Sequence, residues 1–216
     1  MNSIGKIREE IEQEIFDYQV LKQALRAYSK PRDKISSLLA SKDLIQIRKG
    51  LYCFAPPYRK NSLCLEIAAN LIHGPSYISL DYALSYHGLI PERVEVVTSM
   101  TTARSRRFDT PLGRFSYQTL GVRRFASGVR RYEGPSQQHF LMASPEKALV
   151  DKVWTDKRFS GNRLGEFSEY LTDDLRISSH SLRKLSRELL QEISNDYASR
   201  KIANLVHYLQ KEFHNE

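Results

Sequence analysis

The 216-residue chain holds two cysteines, one tryptophan and no apolar run approaching a membrane helix. Each shortage excludes something. Cys53 and Cys64 lack CxxC spacing and sit in apolar surroundings, which predicts free thiols in a reducing compartment rather than disulfides or zinc. The longest apolar runs fall far short of the roughly 20 residues that cross a bilayer. The opening "MNSIGKIREEIEQE" has no apolar stretch to act as a signal peptide. The expectation is therefore a cytoplasmic protein with no membrane partner.

The pieces of common catalytic sites are missing too. The ten glycines form neither a P-loop nor a dinucleotide fingerprint. His73, His87, His139, His180, His207 and His214 are scattered, with no HxxxH or HExxH spacing, so no metal site is expected. Ser76, Ser79 and Ser85 lie near His73 and His87 but have no GxSxG elbow, and they read as turn and cap residues. Glu95 and Asp109 come nearest to a metal-dependent nuclease, yet the further acid and lysine are absent. Lys147 and Asp151 read as an i, i+4 surface pair beside Glu146. The chain is thus expected to be no enzyme, with no cofactor and no catalytic residues.

Acids are also locally scarce. The net charge is +8, and its distribution says more than its total. Residues 15–60 hold ten Lys/Arg against three Asp/Glu. Residues 61–99 come to −3, residues 100–135 to +6, and residues 136–216 are neutral. Two basic islands around an acidic stretch predict two surfaces for a polyanion.

The first island has a shape. Ser3 is placed to cap "IGKIREEIEQEI", where Ile4, Ile7, Ile11 and Ile15 recur at helical spacing. Asp17 precedes a second helix, "YQVLKQALRA". Pro31 opens a third, "PRDKISSLLASK", with Ile35, Leu38 and Leu39 on one face. Two strands follow, "LIQI" and "LYCF", alternating around Arg48-Lys49-Gly50, where glycine permits a tight turn. Helix, helix, turn, helix and basic hairpin compose a winged helix-turn-helix over residues 1–58. A third helix with small residues facing out fits a major groove, and its start is where groove-docked helices make contacts. The candidate DNA-binding residues are Lys30, Arg32, Lys34, Ser36 and Ser37 on that helix and Arg48 and Lys49 on the wing.

"APPYRKNS" marks a boundary, and residues 59–216 read as an α+β domain with a small mixed or antiparallel sheet and a helical part from about 156 onward. In this reading "GPSYIS" is a turn. Its second basic island is all arginine: Arg104, Arg106, Arg107, Arg114, Arg123, Arg124, Arg130 and Arg131, interleaved with Phe108, Phe115, Tyr117, Phe125 and Tyr132. This is either a second nucleic-acid patch, on DNA or on RNA, or the solvated outer face of core strands.

"KGLYCFAP", then "IAANLIHGPSYISLDYALSYHGLIPERVEVVTSMTTARSRRFDTPLGRFSYQTL", then "MASPEKALVDKV" resemble the AbiEi family of antitoxins, over roughly residues 15–155. Gly74-Pro75-Ser76-Tyr77-Ile78-Ser79, Gly88-Leu89-Ile90-Pro91 and Ser144-Pro145-Glu146-Lys147-Ala148-Leu149 carry most of the likeness. The resemblance implies a winged helix that binds inverted repeats in its own operon promoter and represses it; two half-sites one helical turn apart would imply paired copies. It also implies a second domain that opposes a nucleotidyltransferase-like toxin without a stable complex, the type IV arrangement. No motif is recognised in residues 156–216. The other readings are a nucleic-acid-processing enzyme and a ligand-sensing transcription regulator.

Overall fold

The computed structural model describes residues 3–213; the cap assigned to the Ser3 side chain, and His214, lie outside the described residues. The chain first lays down helix α1 (Ser3–Glu10), strand β1 (Ile15–Asp17), helices α2 (Tyr18–Ala24) and α3 (Pro31–Ala40), and the hairpin β2 (Leu44–Arg48) and β3 (Leu51–Phe54).

Helix α1 stops well short of Ile15, where the isoleucine spacing had predicted its end. Arg8 reaches forward past the helix end: its Nη1 donates to Ile11 O at 2.5 Å and to Glu12 O at 3.2 Å, and its Nη2 meets Glu14 at 2.6 Å. A cation at a helix C-terminus opposes the negative end of the dipole. Glu14 Oε1 also accepts the Lys60 and Asn61 amides, at 3.0 and 2.9 Å. This buried pair therefore ties the end of α1 to the segment after the hairpin. Ile15 then enters β1 and pairs with Cys53. Asp17 caps α2 as expected, accepting from the Gln19 and Val20 amides at 2.8 and 2.9 Å. Pro31 occupies the first turn of α3, and Gly50 turns the hairpin at φ +84°.

The hairpin is not the half-wet ribbon its alternation implied. All four residues of β3 are buried. β3 is the middle strand of an antiparallel sheet, ordered β1-β3-β2, and both its faces are covered. Tyr52 and Phe54 join Leu21, Leu25 and Leu38 in the N-terminal core. Leu51 and Cys53 join Ile15 and Ile47 in the large core of the rest of the chain.

That rest contains α4 (Leu65–Ile72), β4 (Ser76–Ile78), α5 (Leu80–Tyr86), β5 (Val97–Thr101), β6 (Arg106–Thr110), β7 (Gly113–Thr119), β8 (Val129–Glu133), β9 (His139–Ala143) and α6 (Pro145–Thr155). The strands form one mixed sheet of order β6-β7-β5-β4-β9-β8. β4, read from the sequence as a turn, is central in it. It pairs antiparallel with β5 and parallel with β9. Three residues, buried on both faces, give no alternation to detect. Helix α4 covers one face, where the Tyr117 hydroxyl donates to Ala69 O at 2.7 Å. Helix α6 covers the other, where Tyr77 reaches Asp151. Ser144 caps α6 as expected, accepting from the Lys147 amide at 3.2 Å.

The C-terminal part is helical: α7 (Glu166–Glu169) running into a π-helical turn (Tyr170–Asp174), then α8 (Ser179–Arg183), α9 (Arg187–Tyr197) and α10 (Arg200–Phe213). The fold is α+β, with a six-stranded mixed sheet, a small antiparallel sheet and helices. No helix among the described residues is long and apolar enough to cross a membrane.

A sheet shared by two cores should make them unfold together. Leu21, fully buried in the N-terminal core, is far in sequence from Trp154, the one tryptophan. Leu21→Ala should cost about 2–5 kcal/mol. In urea it should lower the Trp154 fluorescence midpoint and the far-UV circular dichroism midpoint together. A Trp154 transition that stays at its wild-type midpoint would show that the two cores are separable.

Candidate nucleic-acid interface

Helix α3 is held by Ile35 and Leu38, both buried. Its opposite face follows from that anchoring. Arg32, Asp33, Ser36, Ser37 and Ala40 are exposed, as is Lys30 just before the helix. Lys34 is half-buried, its ammonium 5.7 Å from the Tyr28 ring centroid. The Ser36 hydroxyl donates to Arg32 O at 3.2 Å, so it is turned onto its own helix, while Ser37 faces solvent. Arg32 lies beside the Tyr18 phenol, whose hydrogen bond pushes the guanidinium pKa further up. Tyr18, Lys22, Lys30, Pro31, Arg32 and Asp33 line a cleft of about 420 Å³ at the start of the helix. Arg32 and Lys34, two residues apart, flank the buried face on opposite sides, Ser36 and Ser37 lie between them on the outer side, and three cations stand near the N-terminal end.

The two candidates at the hairpin tip differ in their contacts. Lys49 is exposed at the turn and has no partner among the described residues. Arg48, exposed like Lys49, also donates through Nη1 to the Ile72 carbonyl. Its guanidinium carbon also sits 5.8 Å from the Phe108 ring centroid.

The eight arginines of the second island do not form one patch. Strands β6 and β8 are the opposite edges of the six-stranded sheet. Arg104, Arg106, Arg107 and Arg114 belong to the β6–β7 edge, and Arg130 and Arg131 to β8. Arg114 meets Glu95 at 3.5 Å in an exposed pair. Arg131 meets His139 at 3.0 Å. Arg123 and Arg124 lie in the connection between β7 and β8 and contact the helical part. Arg123 donates to Asn195 O at 3.3 Å. Arg124 donates to Tyr197 O at 3.0 Å and lies 4.4 Å from the Trp154 ring centroid. On β7, Phe115 and Tyr117 are buried while Arg114 and Gln118 face water. That is the alternation of an ordinary half-buried strand.

No family model matches the chain, and no curated protein does. Solved structures of similar fold exist. The RV2827C protein from Mycobacterium tuberculosis superposes with a TM-score of 0.53 at 15% identity, covering 99% of this chain and 80% of that one. At that identity the likeness concerns the fold alone.

A polar cluster lies buried in the α+β unit. Lys147 and Asp151 are no surface pair: both side chains are fully buried, 3.5 Å apart. Asp151 gathers three hydroxyls, from Tyr77 at 2.9 Å, Ser79 at 2.6 Å and Tyr197. Lys147 donates to the Arg124 carbonyl and, at 2.9 Å, to the Tyr197 hydroxyl. Burial lowers the Lys147 pKa against the pull of Asp151. Burial likewise raises Tyr77, reinforced by the Asp151 charge. Ser79 therefore spends its hydroxyl on Asp151 rather than on capping α5. This is a clasp joining β4, α6 and α9. The nearest sequence signal was Lys147-x-x-x-Asp151 inside an otherwise apolar helix face.

A separate cleft of about 690 Å³ lies between the start of α5, the end of α6 and the π-helical turn. Its walls include Asp81, Glu92, Lys152, Asp156, Tyr170 and Asp174. Lys152 bonds Asp81 at 2.6 Å, and the Tyr170 hydroxyl donates to Asp156 at 3.3 Å. The scattered histidines converge on no metal; no group of His, Cys, Asp and Glu among the described residues is arranged to hold one.

Removing either half of the clasp should have unequal effects. Asp151→Ala strands a buried ammonium and should cost about 3–5 kcal/mol. Lys147→Met leaves Asp151 with its three hydroxyl donors and should cost clearly less. Urea unfolding of both variants checks the order; equal losses, or a milder Asp151→Ala, would refute it.

Proposed function

We propose that the protein is a DNA-binding autorepressor and antitoxin, with residues 1–58 acting as a winged helix-turn-helix. The observation that carries the DNA-binding part is the outer face of α3. Lys30, Arg32 and Ser37 stand exposed on one side of a helix whose other side is anchored by Ile35 and Leu38. The N-terminal half of such a helix is the part that meets base edges and phosphates in a major groove. Small residues at 36, 37 and 40 let the helix approach closely. Asp33 would accept from a cytosine amino group or favour the positive end of the helix dipole. The hairpin β2–β3 follows α3 directly and is the wing, with Lys49 at its tip for a neighbouring phosphate.

The antitoxin part rests on the resemblance of residues 15–155 to the AbiEi family. On this reading the α+β unit opposes a nucleotidyltransferase-like toxin without forming a stable complex. The arginines at the β6 edge then either lengthen the DNA footprint or hold the RNA that such a toxin would act on. A second reading, a regulator that senses a small effector, is favoured by the 690 Å³ cleft, whose size is typical of ligand sites. A ligand that raises the melting temperature and changes DNA affinity would support it.

The deciding experiment is a titration against the duplex upstream of this gene and against its shuffled counterpart. A protein making 6–10 phosphate contacts should lose about 10³–10⁵ in affinity between 50 and 200 mM salt. Wild type should prefer the native duplex, and Ser37→Glu, which puts a negative charge into the groove, should abolish that preference while leaving the circular dichroism unchanged. Equal, weak binding to both duplexes by wild type would overturn the reading.

A further inference from the structure

The wing carries two adjacent cations with different surroundings, and the backbone is what separates them. Along the hairpin, Leu44 pairs with Phe54, Ile45 with Cys53 and Gln46 with Tyr52. Regular pairing would next put Ile47 opposite Leu51. Instead Arg48 stands opposite Leu51, because a bulge intervenes between Gln46 and Arg48. A bulge inserts one residue and turns the following side chain over. Leu51 and Cys53 face the large core. Without the bulge Arg48 would lie on the side of Gln46 and Tyr52; with it, Arg48 lies on the side that meets the α+β unit.

What it meets there is suited to a cation. Ile72 is the last residue of α4, and its carbonyl is one of the groups that the end of a helix leaves without an intrahelical partner. The last turn of α4 contains no basic residue of its own. Arg48 from the hairpin takes that place and donates to Ile72 O. Phe108 of β6 lies 5.8 Å from the guanidinium carbon, within cation–π range. The Phe108 ring in turn lies 5.7 Å from the rings of His73 and Tyr117. His73 also bonds Arg104 O at 3.0 Å. One guanidinium thus touches the end of α4 and the edge strand β6. Lys49 beside it touches neither.

We infer that Arg48 is a positioning residue: it latches the tip of the hairpin to the α+β unit, and Lys49 is the wing residue left to contact a polyanion. The nucleic-acid half of this inference rests on the reading proposed above; the latch does not. Its consequence is that the second unit sets where Lys49 points, so the wing is aligned by contacts on the far side of the chain from α3.

Two measurements on full-length protein test it, with Arg48→Gln, Lys49→Ala and Phe108→Leu beside wild type. The first is amide hydrogen exchange over residues 45–53, without DNA. Loss of a hydrogen bond to a charged group should speed hairpin exchange by about tenfold or more in Arg48→Gln. Phe108→Leu should act in the same direction and Lys49→Ala not at all. Unchanged hairpin exchange in both Arg48→Gln and Phe108→Leu would overturn the latch, whatever the protein binds. The second is the salt dependence of binding to the upstream duplex. Losing one phosphate contact should flatten the slope of log K against log salt by about 0.9 in Lys49→Ala. Arg48→Gln should weaken binding several-fold with the slope unchanged. A slope flattened in Arg48→Gln would make Arg48 a direct phosphate contact and overturn the division of labour. A wild type without sequence preference or salt slope would instead defeat the DNA reading, with the exchange data still deciding the latch.

Discussion

The rest of the structure depends on the double burial of β3. A strand covered on both faces must present apolar side chains in both directions, and Leu51, Tyr52, Cys53 and Phe54 do so. One direction serves the three N-terminal helices, the other the sheet domain. Separating the two parts would uncover Leu51, Cys53, Ile15 and Ile47 together, at a cost of about 25 cal/mol for each Å² of apolar surface. The stretch 55–62 is therefore a boundary in composition and chain course, not a flexible linker between independent bodies.

A second tie acts inside the α+β unit. Asp151 sits where the central strand β4, helix α6 and the end of α9 meet. Its carboxylate can stay buried only because Lys147, Tyr77, Ser79 and Tyr197 satisfy it. Such a cluster contributes little net stability but strongly penalises arrangements that leave a member unpaired. It fixes how the helical C-terminal part docks, which explains why that part packs closely without a recognisable motif. Lys147 and Asp151 are both fully buried within it.

How much of this could be read from the sequence differs by scale. Local rules worked where the signal was local. The Asp17 cap, Pro31 at the start of α3, Gly50 at the hairpin and the Ser144-Pro145 start of α6 all appear as read. The exposed face of α3 followed from the spacing of Ile35 and Leu38. What failed needed distant partners. β1 and β4 have three residues each, too few for a period, and exist because β3, β5 and β9 accept their hydrogen bonds. The end of α1 was set by Arg8 reaching Glu14, not by any breaker. Lys147 and Asp151 looked like a surface pair because helical spacing alone cannot say which face is covered. The arginine island looked like one surface because β6 and β8 lie close along the chain, yet they are the two ends of the sheet.

That last point bears on what the basic charge can do. A linear count gives residues 100–135 a net +6, but its arginines do not share one edge of the sheet. Arg124 and Arg123 are engaged with backbone carbonyls near α9, and Arg114 and Arg131 have partners of their own. What is left at the β6 edge, Arg104, Arg106 and Arg107, lies beside the strand whose Phe108 receives Arg48. The charge nearest the hairpin tip is thus on the β6 edge, and the charge on β8 is on the opposite one. Net charge sets how strongly such a protein is drawn to a polyanion, whereas sheet order decides which of its charges can act together.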